Sequence, residues 1–264
     1  MNRRRDRLEA IMLPVVGVAS TLAAFEVAPR IGVLPRSSFP PFSEIFASLT
    51  DLVATAELWE AVLDTLDAWA RALAIAVLVA VPLGLAIGSN RVGALLARLT
   101  VDFLRPIPSV ALIPILLLVY GTRPSLKIAL AVFGATFPLL FQAMYGVADV
   151  DPVARDTARA FGMGWWTQLR RIVLPSCAPY LATGLRISAS VALILVVTGE
   201  YIVGVPGLGA EVLVAYSSGA YDRLYALIVV AGLLGLVVNL AFHAVERRVL
   251  AWHPSHRATE GAAA

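Results

Sequence analysis

One cysteine, one lysine and three histidines are all that 264 residues offer to thiol, amine and imidazole chemistry. With Cys177 alone, no intrachain disulfide can form, and a small buried apolar residue is the better reading of it. The single lysine, Lys127, sits in "PSLKI", so the chain lacks the G-x-x-x-x-G-K-[ST] loop that cradles phosphates. His243, His253 and His256 lie at the end of the last apolar run and in the tail, without the cysteine or acid spacing of a metal site. There is no G-x-S-x-G elbow, and "GVPGLGAE" at 204–211 follows a helical pattern where a dinucleotide loop would follow a strand. Enzyme chemistry is left without candidate residues. Charge is scarce too, at 15% of residues.

What the chain has is apolar length. It is 59% hydrophobic with mean hydropathy +0.81, outside the soluble range. Six runs reach the roughly 20 residues that a helix needs to cross hydrocarbon: 10–28, 66–88, 103–120, 126–147, 177–202 and 224–245. They are continuous, not alternating, which favours helices over a barrel. The run at 10–28 follows a basic head like a secretory signal, but it is long enough to span. The expectation is an all-α membrane protein, a single transmembrane domain over 1–264.

With both ends placed in the cytoplasm, the inner segments collect Arg3, Arg4, Arg5, Arg7, Arg91, Arg98, Arg105, Arg155, Arg159, Arg170, Arg171, Arg247, Arg248 and Arg257. Outside fall only Arg30, Arg36, Arg123, Lys127 and Arg223, while the first external segment carries Glu44, Asp51, Glu57, Glu60, Asp64 and Asp67. Positive residues favour the inner side, so this orientation is the expected one.

Between the first two spans, prolines and then acids among helically spaced apolar residues predict an external amphipathic helix leading into the second span. That span carries Ala72, Ala76, Ala80, Gly84 and Gly88 at four-residue intervals, a ridge on which another helix can approach closely. In the third, Pro106, Pro108 and Pro114 remove backbone donors and predict a kinked or broken helix against protein or a polar cavity. Buried charge is limited to Glu26, Arg186 and Glu200. Intramembrane ionisable groups face a bundle interior or a water-filled path. Arg186 is open to two readings, attraction for an anion or a structural partner for a carbonyl or acid. Ser109, Thr136, Gln142, Arg186, Ser188, Ser190 and Glu200 are the candidate path residues.

The stretch "DPVARDTARAFGMGWWTQLRRIVLPS" at 151–176 is polar between two apolar runs. Asp151 and Pro152 read as N-cap and first-turn proline, Gly162 as the stop. Val153, Ala154, Thr157, Ala158 and Phe161 share one predicted face; Arg155, Asp156 and Arg159 take another. A second amphipathic piece places Trp165, Trp166, Leu169, Ile172 and Val173 opposite Gln168, Arg170 and Arg171, suited to the membrane surface. A short, small-faced helix held between two spans is shaped to enter a groove on another protein.

This stretch resembles the cytoplasmic signature of ABC importer permeases: Glu-Ala-Ala, three residues, Gly, nine residues, Ile, one residue, Leu-Pro. Here Asp156, Thr157 and Ala158 precede Gly162 by that spacing, and Ile172, Leu174 and Pro175 complete it. Asp for Glu and Thr for Ala keep the charge and the small size. "LRPIPSVALIPIL", "KIALAVFGATFP", "GLR" at 184–186, Glu200, "GLG" at 207–209 and "ERRVLAWHP" extend the resemblance to the nitrate, sulfonate, taurine and bicarbonate branch. The resemblance implies a six-span type I importer permease with a cytoplasmic coupling helix within 151–175. It implies ATPase coupling through Asp156, Thr157, Ala158, Phe161, Gly162, Ile172, Leu174 and Pro175. Its implied partners are a second copy, two cytoplasmic ATPases that bind ATP and Mg, an external binding protein (periplasmic or lipid-anchored) and membrane lipid, with no nucleic acid and no cofactor in this chain. The implied place is the bacterial inner membrane and the cargo a small anion. An ion-gradient-driven carrier is the alternative; ATP-dependent uptake distinguishes the two.

Overall fold

A computed structural model describes residues 3–90, 103 and 107–250, with side chains from residue 12 onward. Arg91, Arg98, Arg105, Pro106 and the tail from 251, with His253, His256 and Arg257, lie outside the described residues. The described elements are helices: α1 (Arg3–Arg30), α2 (Phe42–Val53), α3 (Ala56–Gly88), α4 (Ile113–Tyr120, entered through a 3₁₀ turn Ser109–Leu112), α5 (Pro124–Ala148), α6 (Pro152–Ala160), α7 (Leu174–Val203), α8 (Leu208–Ser217) and α9 (Tyr221–Val249).

Among the described residues, five segments are long and apolar enough to cross a membrane: Met12–Arg30, Ala56–Gly88, Pro124–Ala148, Trp165–Ser217 and Tyr221–Val249. The expected third span at 103–120 is the exception. Its described helix, Ser109–Tyr120, rises about 18 Å at 1.5 Å per residue, short of the ~30 Å hydrocarbon core. Its prolines explain the shortness. The chain is helical at Phe103, non-helical at 107–108 and helical again from Ser109, the break that the proline cluster predicts; Pro108 caps the 3₁₀ turn and Pro114 occupies the first turn of α4, where prolines start helices.

The external amphipathic helix is two helices. The chain leaves α2 at Ala54, and Thr55 caps α3 by accepting a hydrogen bond from Leu58 N at 3.4 Å. Ile45, Leu52, Leu58, Ala61 and Val62 then pack with Leu208, Ala215, Ala226 and Leu227 of α8 and α9 into one outer cluster. Helix α1 stands apart, almost wholly exposed from Met12 on. Glu26 ties it to α2 by accepting from Ser43 N (2.9 Å) and Oγ (3.1 Å) while pairing with Arg30.

Helix α5 is the central element, packed between α3 and α7. The small-residue ridge of α3 is what permits this. Ala72, Ala76 and Ala80 are fully buried, and a methyl group at Gly84 would meet Ala143 Cβ while one at Gly88 would meet Val147 Cβ. Lipid tails are as apolar as leucine, so such close van der Waals approach is the main driving force between spans. The ridge is used up within the chain and leaves no face of its own for a second copy. Cys177 is buried between α5 and α7 against Val147 and Val150, the inert packing residue expected.

Candidate functional site

Helix α6 is closed at both ends by its own sequence. Asp151 accepts a hydrogen bond from Val153 N at 2.8 Å and Pro152 fills the first position. At the other end Gly162 has φ +68°, Gly162 N donates to Arg159 O (2.9 Å) and Met163 N to Ala158 O (3.0 Å). That double closure needs a left-handed residue, which glycine supplies without a Cβ penalty.

The faces differ from the expected ones. Ala158, 2% exposed, and half-buried Ala154 and Arg155 turn inward, and Arg155 Nη2 donates to Val147 O at 2.6 Å. A guanidinium on a carbonyl near the C-terminal end of α5 meets the negative end of that helix, which fixes how α6 is rolled. Val153, Asp156, Thr157, Ala160 and Phe161 face outward, Phe161 being 79% exposed. Ala158 is therefore the packing foot of α6 and is not open to another protein, while Asp156, Thr157, Phe161 and Gly162 are. Trp165 and Trp166 are exposed with ring centroids 5.7 Å apart. From there a helical turn, Trp165–Gln168, runs through a π-helical turn, Leu169–Val173, directly into α7, with Ile172, Leu174 and Pro175 half-buried at the joint.

A cleft of about 390 Å³ opens between the entry to α4, the face of α5 and Ile187 of α7. Ser109 and Gln142, both expected path residues, line it. So does an aromatic ladder at four-residue spacing along α5, Phe133, Phe137, Phe141 and Tyr145, with Phe133 edge-on to Phe137 at 5.1 Å and Phe141 stacked with Tyr145 at 6.2 Å. Pro138 lies beside it. The F-x₃-F-x₃-F-x₃-Y pattern was available in the sequence at 133–145, though an aromatic stripe there reads first as core.

The other expected path residues go elsewhere. Thr136 Oγ1 donates to Val132 O (2.6 Å) and Ser190 Oγ to Arg186 O (3.3 Å), each within its own helix. Ser188 is fully buried and donates to Ala135 O at 2.6 Å, joining α7 to α5. Arg186 pairs with Glu246 of α9 at 3.3 Å, with His243 Nδ1 3.9 Å from the same oxygen, so its acid-partner reading holds and it is not in the cleft.

Glu200 is also outside the cleft, wholly buried where α3, α5, α7 and α8 meet. Its Oε1 accepts from Lys127 Nζ (2.7 Å) and Thr65 Oγ1 (3.0 Å), and its Oε2 from Gly209 N (3.0 Å). Lys127 Nζ donates also to Pro206 O (2.6 Å) and Asp64 O (3.4 Å), and Thr65 Oγ1 accepts from Leu208 N (3.0 Å). Both charges are thus saturated with partners, the condition under which such a pair tolerates burial. Gly207, at φ +138°, presses on this carboxylate, and a Cβ there would collide with it. Lys127 was expected in the outer turn; a lone lysine at the edge of an apolar run carries no periodic signal that it points inward.

Among the described residues no group of three or more His, Cys, Asp or Glu could hold a metal ion. Residues 72–251 match the family described as binding-protein-dependent transport system inner membrane component. The chain is similar to an ABC transporter permease protein of Methanocaldococcus jannaschii, 32% identical over 66% of this chain and 66% of that protein. It is similar as well to the taurine transport system permease protein TauC of Escherichia coli, 26% identical over 92% of this chain and 90% of that one. In backbone it resembles a chain of the MetNI methionine ABC transporter solved in inward-facing conformations, with TM-score 0.63 and 19% identity over 73% of this chain and 96% of the other.

Proposed function

The chain belongs to the binding-protein-dependent transport system inner membrane component family, and from that premise we propose how it works as the permease subunit of an ATP-driven importer. It is a multi-pass inner-membrane component, and ATP hydrolysis belongs to a separate subunit that binds ATP and Mg. The observation that carries the coupling role is α6: a helix capped at both ends, rolled into place by Arg155 and presenting Val153, Thr157 and Phe161 on a face that nothing among the described residues covers. Such a face fits a groove on an ATPase.

Both termini lie in the cytoplasm, the whole of 1–264 is one permease domain, and an external binding protein, periplasmic or lipid-anchored, delivers the solute. Two copies, each with its ATPase, surround one path in the lipid bilayer, and the cleft of Ser109, Gln142 and the aromatic ladder is this chain's half of it. Its open flank, where Tyr145 and Ile187 are exposed, supports that placement. Nucleotide-driven closure of the ATPases moves α6, and the continuous run from Trp165 through Leu174 and Pro175 passes the movement to α7. The solute is a small anion, with taurine or a related sulfonate the first candidate from the relative at 26% identity. The test is uptake of labelled taurine by vesicles holding the assembled complex and its binding protein. Uptake that needs ATP in the cytoplasmic compartment and ignores imposed ion gradients is expected; uptake that follows a proton or sodium gradient without ATP overturns the reading.

A further inference from the structure

Beneath α6 lies a second, smaller cavity of about 120 Å³, separate from the cleft, lined by Ser89 at the end of α3, Arg155 and Arg159 of α6, and Trp165, Gln168, Leu169, Ile172 and Val173 of the run into α7. Among the described residues its lining holds two guanidinium groups and no carboxylate. The donors there are only partly engaged. Arg155 uses Nη2 on Val147 O, but its Nε is buried without a hydrogen-bond partner. Among the described residues Arg159 has one ion pair, a loose 3.5 Å contact with Asp156 on the exposed side. Gln168 Nε2 donates to Met163 O (2.7 Å) and Ser89 Oγ to Leu85 O (2.6 Å).

A buried guanidinium N–H without an acceptor is costly, and a second arginine beside it adds like-charge repulsion. One anionic acceptor relieves both, and planar guanidinium forks suit the oxygens of a tetrahedral oxyanion. The space is too small for a nucleotide. The geometry points to a binding site for a small tetrahedral oxyanion, a sulfate ion or the sulfonate head of a small solute, under the coupling helix. Its ligands come from the ends of three elements, so the bound ion ties α6 to the end of α3 and to the run into α7. This last consequence, a restraint on the movement of α6, rests on the importer reading; the binding site does not.

The permease–ATPase complex, free of nucleotide in detergent, is titrated with sodium sulfate against sodium chloride at constant ionic strength, following tryptophan emission. A saturable change is expected, lost in Trp165→Phe because that ring lines the site. Arg159→Gln, an exposed substitution that leaves the fold intact, lowers the sulfate affinity at least about ten-fold. Arg155→Met does the same, and where it fails to assemble Arg159→Gln decides. Parallel titrations with methanesulfonate and taurine identify the source: competition by them assigns the site to the sulfonate head as well as to the free ion, and response to sulfate alone assigns it to the inorganic ion. Equal saturable responses in the wild type and all variants place sulfate on the ATPases and overturn the proposal, as does a response that merely tracks ionic strength. A flat titration alongside intact ATP-driven taurine uptake removes this site and leaves the transport reading standing.

Discussion

Lys127 Nζ and Glu200 Oε1 lie 2.7 Å apart with 2% and 0% of their side chains exposed, 73 residues apart in the chain and on adjacent helices α5 and α7. Removing one partner leaves an uncompensated buried charge, at about 3–5 kcal/mol, whereas replacing both with apolar groups is often neutral. Lys127→Met alone is therefore expected to lower thermal stability in detergent sharply, and Lys127→Met with Glu200→Leu to recover most of the loss. Equal loss in the single and double variants would show that the pair is not a unit.

Gly207 tests the same network from its backbone. Gly207→Ala combines an unfavourable φ of +138° with a collision against the Glu200 carboxylate, so it should cost more than Gly162→Ala, whose φ is +68° but whose Cβ meets nothing within 4 Å. The latter is expected to cost about 1–2 kcal/mol, confined to α6. Amide exchange of the reconstituted complex separates them: faster exchange around α8 in the first, around α6 alone in the second.

At the outward face of α6, Thr157→Trp or Phe161→Arg should abolish ATPase binding and uptake with insertion and abundance unchanged, because both positions are exposed. Ala158→Trp should instead disturb α6 itself, since Ala158 is 2% exposed. Limited proteolysis with co-purification of the ATPase reads both. Full ATPase binding in the Thr157 and Phe161 variants would move the docking surface elsewhere.

In the cleft, Gln142→Leu and Phe137→Ala should lower the uptake rate several-fold while ATPase assembly stays at wild-type level. A path residue acts on the solute and not on the coupling contact. Unchanged uptake in both variants would exclude the cleft from the path.

Arg186→Gln should leave uptake within about two-fold of wild type, as its partner Glu246 is on α9, away from the cleft, and any loss should fall on stability, because the Glu246 carboxylate, 12% exposed, is left without its cation. A large loss of uptake in a well-assembled variant would restore the arginine to the transport path.

The elements whose signal is local were readable. Five of the six apolar runs fall on long helices, and Asp151, Pro152 and Gly162 announce the limits of α6 because capping depends on residues a few positions apart. Facing was less readable. The roll of α6 is set by Arg155 reaching the Val147 carbonyl, a contact outside any helical pattern, and it turned Ala158 inward. Thr136, Ser188 and Ser190 were expected in the path because polar groups in a span need partners; their partners are carbonyls of α5 and α7. The break in the third span was readable from its prolines, but the run at 103–120 still reads as one span, because Pro114 passes for a breaker until its position within a first turn is known. Lys127 escaped because a single charge at the edge of a span has no period.

The chain's only lysine is thus consumed in a dry ion pair. Amine-directed reagents, acylating labels and lysine cross-linkers alike, have no accessible side chain to attack among the described residues. Applied to the assembled transporter, they find no side chain to mark among the described residues of this subunit, so proximity mapping of its interior contacts needs carboxylate- or arginine-directed chemistry, or a lysine introduced at a chosen surface position such as Thr157.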